Sequence, residues 1–333
     1  MDVIPQFELH THVEGALTPA RLEALSGRHG RTVELGARQL RADRLFDFTD
    51  FHGFLRCYRD ATAFLSTPLD YADVAHDLVA MLVADGVVHC EASVSYGVLL
   101  WRGINPEPIQ AALWEVAQEA RERHDMTLRF IPDAVRQFGV EPARRVLEAA
   151  LRAGWQRGVV GFGIGGDEMS RPAAEFARVC EEAREAGLGV TIHAGEVGGA
   201  EQVRDAVSSC GATRIGHGIG AVLGPVGPDG ARVEPAPAEV EATLALLRSR
   251  RVFIELCPGA NRRLNLVPAG RTWPWGRFLE AGVPCALNTD DRGFFGLDLR
   301  GEYARAAAEG GFSPQTAQQC REAARRAAFA APL

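Results

Sequence analysis

The stretch that decides the fold runs from residue 158 to residue 217 and reads GVVGFGIGGDEMSRPAAEFARVCEEAREAGLGVTIHAGEVGGAEQVRDAVSSCGATRIGH. Three short runs rich in apolar and β-branched residues alternate in it with two amphipathic helical patterns, the runs at 158–164, 189–194 and 213–217 and the helical patterns at 171–187 and 200–210. Such an alternation predicts parallel strands joined by right-handed helical crossovers.

The same alternation continues on both sides of this stretch. Five more candidate strands bring the total to eight, at 7–13, 86–95, 126–133, 252–257 and 283–288, and they are separated by helical patterns such as 139–154, 237–249 and 300–309. Eight strand–helix repeats favour a closed barrel over an open doubly wound sheet. The sequence therefore predicts an α/β fold of the TIM (β/α)8 barrel class.

Two segments interrupt the repeat. Residues 18–82 predict a helical insertion after the first strand, because they are far longer than a simple crossover needs. Residues 221–236 (AVLGPVGPDGARVEPA) are rich in Pro and Gly and predict a loop on the barrel mouth. Neither segment resembles an interdomain linker, so residues 1–333 are predicted to form a single domain.

The composition narrows the function classes. With 47% hydrophobic and 24% charged residues in 333, the chain is typical of a globular protein with a sizeable core. The net charge of −7 argues against nucleic-acid binding, which needs a basic face. No apolar run approaches a membrane span, and the N-terminal residues lack the pattern of a signal peptide. We therefore expect no membrane partner and a cytoplasmic location.

All 36 basic residues are Arg, and the sequence contains no Lys. This excludes Schiff-base catalysis, the phosphate-binding Lys of P-loop proteins and two-metal hydrolases bridged by a carbamylated Lys. The seven Cys are widely spaced and form no C-x-x-C motif, so reduced and mostly buried thiols are expected, Cys257 and Cys285 among them.

Histidines and carboxylates collect where the predicted strands end. The first strand ends with His10 and His12, the fifth with His193 and Glu196, the sixth with His217, and the eighth with Asp290 and Asp291. Barrel enzymes carry their catalytic groups at the C-terminal ends of the strands. The four strand ends therefore predict one active site over the barrel axis.

The spacing of these residues indicates metal ligation. His10 and His12 are two residues apart on a strand and so point to the same side, where two imidazoles can share one metal. Adding His193 and Asp290 gives three nitrogens and one oxygen, a set suited to one Zn²⁺ or a similar divalent ion. An isolated His-x-His is more often a pair of polar strand residues. Here another His and an Asp-Asp pair end other strands of the same predicted barrel, and this favours a metal site.

Two other motifs are weaker. Gly161, Gly163 and Gly166 follow a strand in the G-x-G-x-x-G pattern of dinucleotide sites, but they lie in mid-chain and no ribose-binding acid ends the next strand. A close backbone approach to a ligand is the better interpretation. Cytidine-type zinc deaminases need H-x-E followed by P-C-x-x-C, whereas here the order is His193-Ala194-Gly195-Glu196 and Cys257-Pro258, so that fold is not supported.

Seven segments together resemble the adenosine deaminase branch of the metal-dependent deaminases. They occur in the family's order over nearly the whole chain: ELHTHVEGAL (8–17), GVVHCEASVS (86–95), GIGGDE (163–168), TIHAGEVGGAEQVRDAV (191–207), RIGHG (214–218), IELCPGAN (254–261) and LNTDD (287–291). The HAGE, GHG and TDD elements are highly specific. The resemblance implies a TIM barrel that holds one Zn²⁺ through His10, His12, His193 and Asp290.

The resemblance also implies roles that spacing alone could not assign. Glu196 would protonate N1 of a purine, and His217 would orient or deprotonate the water that attacks the ring. Asp290 would contribute to catalysis as well as to metal binding. Asp291 would hydrogen-bond N7, and the backbone N–H of Gly166 would approach N3.

Three departures from the family pattern bear on the substrate. Glu14 stands where an Asp usually contacts the ribose 5′-hydroxyl, a change that resembles branches acting on free adenine or on 5′-modified adenosines. The end of the second strand, at 91–98, is similar to that of aminodeoxyfutalosine deaminases. Arg292 stands where the family usually has Pro; it is either a solvated or acid-paired charge, or a fork for an anionic substrate tail.

The expected activity is zinc-dependent hydrolytic deamination of a 6-aminopurine nucleoside, either adenosine or a 5′-modified adenosine such as aminodeoxyfutalosine. The alternative is deamination of free adenine, and a more distant one is a mononuclear-metal amide or ester hydrolase. A small purine is the expected partner. A non-catalytic purine-binding protein is disfavoured, because every expected ligand and the acid are present.

Overall fold

The computed structural model describes residues 6–33, 46–48, 50–267, 273–309 and 312–330. Eight strands form one parallel sheet in chain order, each hydrogen-bonded to the next: β1 (Gln6–His12), β2 (Val87–Val94), β3 (Thr127–Val135), β4 (Gly161–Gly165), β5 (Gly189–Ala194), β6 (Arg214–His217), β7 (Phe253–Leu256) and β8 (Cys285–Leu287). The predicted TIM (β/α)8 architecture is confirmed.

The sheet closes between its first and last strands mainly beyond the end of β8. Thr11 and Asp290 form a parallel bridge, and the backbone N–H of Asp290 donates to the carbonyl of His10 at 3.0 Å. The side-chain oxygen of Asn288 accepts from the backbone N–H groups of Leu9 and His10 at 2.9 and 3.1 Å. The closure therefore places Asp290 beside the end of β1.

Helices surround the strands and fill the connections. The α-helices are α1 (Pro19–His29), α2 (Phe51–Thr62), α3 (Pro68–Ala84), α4 (Tyr96–Trp101), α5 (Pro106–His124), α6 (Val140–Ala153), α7 (Ala177–Glu185), α8 (Ala200–Cys210), α9 (Gly220–Leu223), α10 (Pro237–Arg250), α11 (Pro258–Arg263), α12 (Trp275–Glu280), α13 (Arg292–Phe295), α14 (Leu299–Ala308) and α15 (Pro314–Ala327). Short 3-10 turns lie at Glu14–Ala16, Arg136–Phe138, Trp155–Arg157 and Ala173–Phe176.

The predicted insertion after the first strand consists of α1, α2 and α3; residues 34–45 and 49 of the predicted 18–82 segment lie outside the described residues. Local chemistry starts these helices. Thr18 accepts from the backbone N–H of Arg21 ahead of α1, and Thr67 forms a reciprocal capping box with Asp70 at the start of α3. Each of these two helices has Pro in its first turn.

Element boundaries differ from the sequence prediction by a few residues. The predicted strand at 158–164 begins only at Gly161, because Gly158 has φ of 72° where the preceding 3-10 turn ends. The predicted helix at 171–187 opens with a 3-10 turn before α7. The predicted loop at 221–236 is partly helical, since its first three residues belong to α9.

The described helices include none that is both long and apolar enough to cross a bilayer. All seven cysteines are buried and none forms a disulfide, in keeping with the expected reduced thiols. Burial raises the pKa of Cys257 and Cys90 well above the ordinary thiol value. These thiols stay protonated and pack as small apolar side chains.

Candidate active site

Four predicted ligands converge at the C-terminal ends of β1 and β5 and in the loop after β8. His10, His12, His193 and Asp290 each offer a ligand atom, and these atoms lie within 4.8 Å of one another. The carboxylate Oδ1 of Asp290 is 3.4 Å from Nε2 of His12 and 3.6 Å from Nε2 of His10. Tetrahedral ligands at the usual zinc distances of about 2.0–2.1 Å would be separated by roughly 3.3 Å. The arrangement is therefore the size of a metal site.

The two ring nitrogens of His10 have different surroundings. Nδ1 lies 2.6 Å from the carboxylate of Glu255, and Nε2 is buried with no hydrogen-bond partner among the described residues. Burial disfavours the charged ring, but the nearby carboxylates of Asp290 and Glu255 outweigh it and raise the pKa of His10 to about 10.

A second group of potential ligands overlaps the first. His10, His217, Cys257 and Asp290 also have ligand atoms within 4.8 Å of one another. The Cys257 thiol already donates to the carbonyl of Glu255, and burial raises its pKa. A protonated thiol is a poor metal ligand, so the group with three histidines and one carboxylate is the better one.

His217 and Asp290 have strained backbones. Their φ angles are 63° and 61°, in the left-handed region that residues other than glycine seldom adopt. Asn261 lies 3.0 Å from Nδ1 of His217 and fixes its ring. Nε2 of His217 then faces Glu196 at 3.7 Å and Asp290 at 3.9 Å. Strain in the backbone at the end of β6 and just after β8 is typical of functional sites.

Glu196 is set up as an acid. Burial raises its pKa well above the ordinary glutamate value, and the negative charges of Asp290 and Glu168 raise it further. Burial and the nearby charged His10 lower the pKa of His217 to about 4. Burial therefore favours the uncharged form of both groups, the carboxylic acid of Glu196 and the imidazole of His217.

The loop that carries Glu196 is held by two residues that sequence reasoning missed. Glu168 accepts from the backbone N–H groups of Gly195 and Gly198, both at 2.7 Å, and from that of Val197. From the Pro/Gly-rich loop, Arg232 donates to the carbonyls of Glu196, Gly198, Gly224 and Leu266. Their position in GIGGDE and in a loop rich in Pro and Gly gave no sign of this role.

A cavity of about 470 Å³ opens above these groups. Its inner wall includes His12, His193, Glu196, His217, Asp290 and Asp291, and its outer wall includes Phe51, Leu55, Arg56, Trp101 and Phe138. Trp101 and Phe138 stack with ring centroids 5.6 Å apart, and Trp101 is 66% exposed. The size is within the range of small-molecule sites.

Two of the three predicted substrate contacts, Gly166 and Asp291, line the cavity. Gly166 lines it with φ of 89°, and a Cβ there would lie 2.4 Å from the Gln137 amide oxygen. Asp291 also lines it, and its Oδ1 is buried without a hydrogen-bond partner among the described residues. Burial raises the pKa of Asp291 well above its ordinary range, and the nearby charge of Asp290 adds to this.

Glu14 lies just behind the cavity wall. One of its carboxylate oxygens accepts from the Tyr71 hydroxyl at 3.1 Å and from the backbone N–H of Ser95 at 3.0 Å. The other oxygen is buried with no hydrogen-bond partner among the described residues. Burial and the nearby charge of Asp133 raise the pKa of Glu14 to about 7.

The hypothesis that Arg292 receives an anionic substrate tail is wrong. Arg292 is 1% exposed and does not line the cavity. Its guanidinium lies 2.9 Å from Asp85 and 3.3 Å from Glu8, and it also donates to the Thr289 hydroxyl. Position next to Asp291 suggested the mouth, but α13 turns the side chain into the protein, where two buried acids pair with it.

Comparison with known proteins agrees with this geometry. The model of the adenosine deaminase family matches residues 5–332. Adenine deaminase from Rhizobium meliloti is 34% identical over 97% of this chain and 93% of its own length. Aminodeoxyfutalosine deaminase from Acidothermus cellulolyticus is 31% identical over 92% of this chain and 83% of its own.

Solved structures give the same result. The crystal structure of adenine deaminase from Arthrobacter aurescens matches with a TM-score of 0.85 at 26% identity, over 98% of this chain and 94% of that one. An amidohydrolase from Burkholderia ambifaria, crystallised with bound Zn, shares the fold with a TM-score of 0.82 at 22% identity, over 98% of this chain and 86% of that one. We conclude that this chain belongs to the adenosine deaminase family of purine aminohydrolases.

Proposed function

We propose that the protein catalyses the zinc-dependent hydrolytic deamination of a 6-aminopurine to the 6-oxopurine and ammonia. One observation carries the proposal. The cluster of His10, His12, His193 and Asp290 lies beside Glu196, whose pKa is raised by burial, at the base of a cavity of about 470 Å³.

The donor set fits a zinc ion. Three imidazoles and one carboxylate are typical zinc ligands, and the unpartnered Nε2 of His10 is directed at the same position as Nε2 of His12. When bound, zinc lowers the pKa of a coordinated water toward about 7, so a nucleophile is available at neutral pH.

The remaining steps use the chain's own groups. Glu196 gives its proton to the ring nitrogen N1, which allows the ring to accept electrons when the amino-bearing carbon is attacked. His217, neutral because of its low pKa, orients the attacking water. The exocyclic amine takes up one proton of the attacking water, its bond to the ring carbon breaks and it leaves as ammonia, while the second proton of the water returns to Glu196 as the 6-oxo group forms.

Two further contacts would orient the purine. Burial raises the pKa of Asp291 and so favours the carboxylic acid, the form that would donate a hydrogen bond to N7, a ring nitrogen with a lone pair. Gly166 lines the cavity, and its backbone N–H would approach N3. Both contacts recognise the purine ring and are independent of its substituents.

Free adenine is the substrate that the relatives favour. The Rhizobium meliloti and Arthrobacter aurescens proteins, both named adenine deaminases, match this chain over nearly its whole length. The position of Glu14 is consistent with free adenine as the substrate. Tyr71 and Ser95 already donate to one of its carboxylate oxygens. Glu14 does not line the cavity in which the ribose of a nucleoside would lie.

A 9-substituted adenine is the second candidate, and the cavity favours it. The outer wall, with Phe51, Trp101 and Phe138, leaves space beyond that of a single purine ring. The Acidothermus cellulolyticus relative is named as acting on aminodeoxyfutalosine. A nucleoside with an extended 5′-substituent would occupy this outer space.

Ammonia release from a substrate panel tests the proposal. The panel contains adenine, adenosine, aminodeoxyfutalosine and guanine, and each is assayed with the zinc-loaded wild-type protein and with Glu196→Gln. We expect the highest kcat/KM with adenine and little turnover of guanine, whose amine is at a different carbon. Release of acid from amides or esters without ammonia from any purine would contradict the proposal.

A further inference from the structure

The end of the barrel opposite the cavity contains a buried charge cluster. We call Arg214, Glu91 and Glu255 the floor cluster; all three are at most 1% exposed. The Arg214 guanidinium donates through Nε to Glu255, through Nη1 to Glu91, and through Nη2 to the carbonyl of Leu9 at 2.5 Å. Arg214 is the first residue of β6, which places it at the N-terminal end of the strands.

The segment that follows α15 closes this end of the barrel. The Phe329 ring centroid lies 4.1 Å from the guanidinium carbon of Arg214, and the backbone N–H of Ala330 donates to Glu91 at 2.9 Å. Gly161 and Gly189, which begin β4 and β5, make room for the ring. A Cβ would lie 2.8 Å from it at Gly161 and 2.1 Å at Gly189.

The floor cluster also reaches the proposed metal site. The Oε1 atom of Glu255 accepts a hydrogen bond from Arg214, and its Oε2 atom lies 2.6 Å from Nδ1 of His10. The Thr191 hydroxyl donates to the same carboxylate at 3.2 Å. Because Nδ1 is held in this way, Nε2 of His10 points toward Asp290 and His12.

We propose that Phe329 and Ala330 are positioning residues for the metal site: by closing the floor they hold the Arg214–Glu255 pair that orients His10. The inference rests on the metal assignment of the proposed function. Carboxylates that bind the second nitrogen of a ligating histidine fix its orientation, and their loss typically weakens metal binding about 10- to 100-fold.

The physical argument concerns water. The aromatic face of Phe329 attracts the guanidinium and keeps solvent from the ion pair, whose attraction is stronger at low dielectric. Without the ring, water would solvate Arg214 and Glu255 separately. Glu255 would then hold His10 less firmly, although no ligand had been changed.

Zinc binding in five variants tests the inference. Phe329→Ala removes the ring, Gly189→Ala displaces it, and Phe329→Tyr keeps it. Gly276→Ala is the matched glycine control, since nothing lies within 4 Å of a Cβ at that position. Asp290→Ala removes a proposed ligand. Zn²⁺ dissociation constants are measured by competition with a chromophoric chelator, and ligand geometry is followed by the visible spectrum of the Co²⁺-loaded proteins.

We expect Phe329→Ala and Gly189→Ala to bind Zn²⁺ about 10-fold more weakly and to shift the Co²⁺ spectrum. Phe329→Tyr and Gly276→Ala should match wild type. A wild-type dissociation constant and spectrum in Phe329→Ala, or weaker binding with an unchanged spectrum, would overturn the inference. Asp290→Ala separates the two claims: if it keeps its metal, the metal assignment itself is wrong.

Discussion

The mouth of this barrel, which is the end that carries the cavity, and the floor at the opposite end both bury charged groups. The two ends differ in whether these groups have hydrogen-bond partners. At the floor, every side-chain carboxylate oxygen of Glu91 and Glu255 has a partner. At the mouth, several buried polar atoms have none among the described residues: His10 Nε2, Glu14 Oε2, Asp133 Oδ1 and Asp291 Oδ1. Buried polar atoms without partners are costly, so a site that keeps several of them together is shaped for a ligand that pairs with them.

The pKa shifts show the same division. At the floor, burial raises the pKa of Glu255, but Arg214 and His10 outweigh it and lower the pKa to about 2, so the charge is permanent. At the mouth, burial and neighbouring carboxylates raise the pKa of Glu196 and Asp291. Paired charges stabilise one conformation, whereas proton exchange needs groups whose charge can change.

Removing the metal should have the largest effect, because the mouth would lose the ion proposed to bind His10, His12, His193 and Asp290. Treatment with a strong chelator should abolish ammonia release, and Zn²⁺ should restore it. Elemental analysis of the active protein should give about one metal per chain. Full activity with less than roughly a tenth of a metal per chain would contradict the metal assignment.

Glu196→Gln tests whether the mouth needs a transferable proton. An amide cannot protonate N1, so kcat should fall by about 10²- to 10⁴-fold while metal content and fold stay the same. Glu201→Gln is the control, since Glu201 is exposed in the helix that follows. Steady-state ammonia release measures both variants; a wild-type kcat for Glu196→Gln would place the acid elsewhere.

Arg214→Met tests the floor in the same way. Removing one partner of a buried ion pair leaves a buried charge uncompensated, and the free energy of unfolding should fall by about 3–5 kcal/mol. Arg178→Met removes an exposed Arg that pairs with Glu181, and should leave the free energy of unfolding close to that of wild type. Urea unfolding of the metal-free proteins measures both; equal losses would show that the floor cluster is not special.

Metal binding should depend on pH, because it competes with protons for the histidines. Hydrogen bonds and nearby carboxylates outweigh burial and raise the pKa of His10 to about 10 and that of His12 to about 9, so both rings carry protons at pH 7. A metal must displace them, and binding should release about two protons. Calorimetry in buffers of different ionisation enthalpy measures this number. Affinity should weaken as the pH falls, and pH-independent affinity would argue against these ligands.

Much of the fold could be predicted from the sequence because it depends on local patterns. Eight apolar runs separated by amphipathic helices were sufficient for the barrel, and the insertion after the first strand appeared as an interruption of the repeat. Boundaries were less accurate, as at 158–164, because a positive φ at Gly158 and a 3-10 turn precede the strand.

The site was predicted to a similar extent. The histidines and acids that end strands could be located, since the C-terminal ends of parallel strands meet at one end of a barrel. For Arg292 the sequence left two interpretations open, and the structure supports the acid-paired one; proximity to Asp291 along the chain does not state the direction in which α13 turns the side chain. Glu168 and Arg232 were missed, because they act on backbone groups, and such contacts leave no motif.

The sequence by itself determined which residues can meet at the mouth, because strand order and strand-end position follow from hydrophobic periodicity. Only the tertiary structure decided which charges are satisfied. The pairing of Arg214 with Glu91 and Glu255 joins three strands that are far apart in sequence, and Phe329 closes the floor from beyond the last helix. Whether a buried group ends as a fixed ion pair or as a proton donor depends on these long-range neighbours, since burial and nearby charge set its pKa.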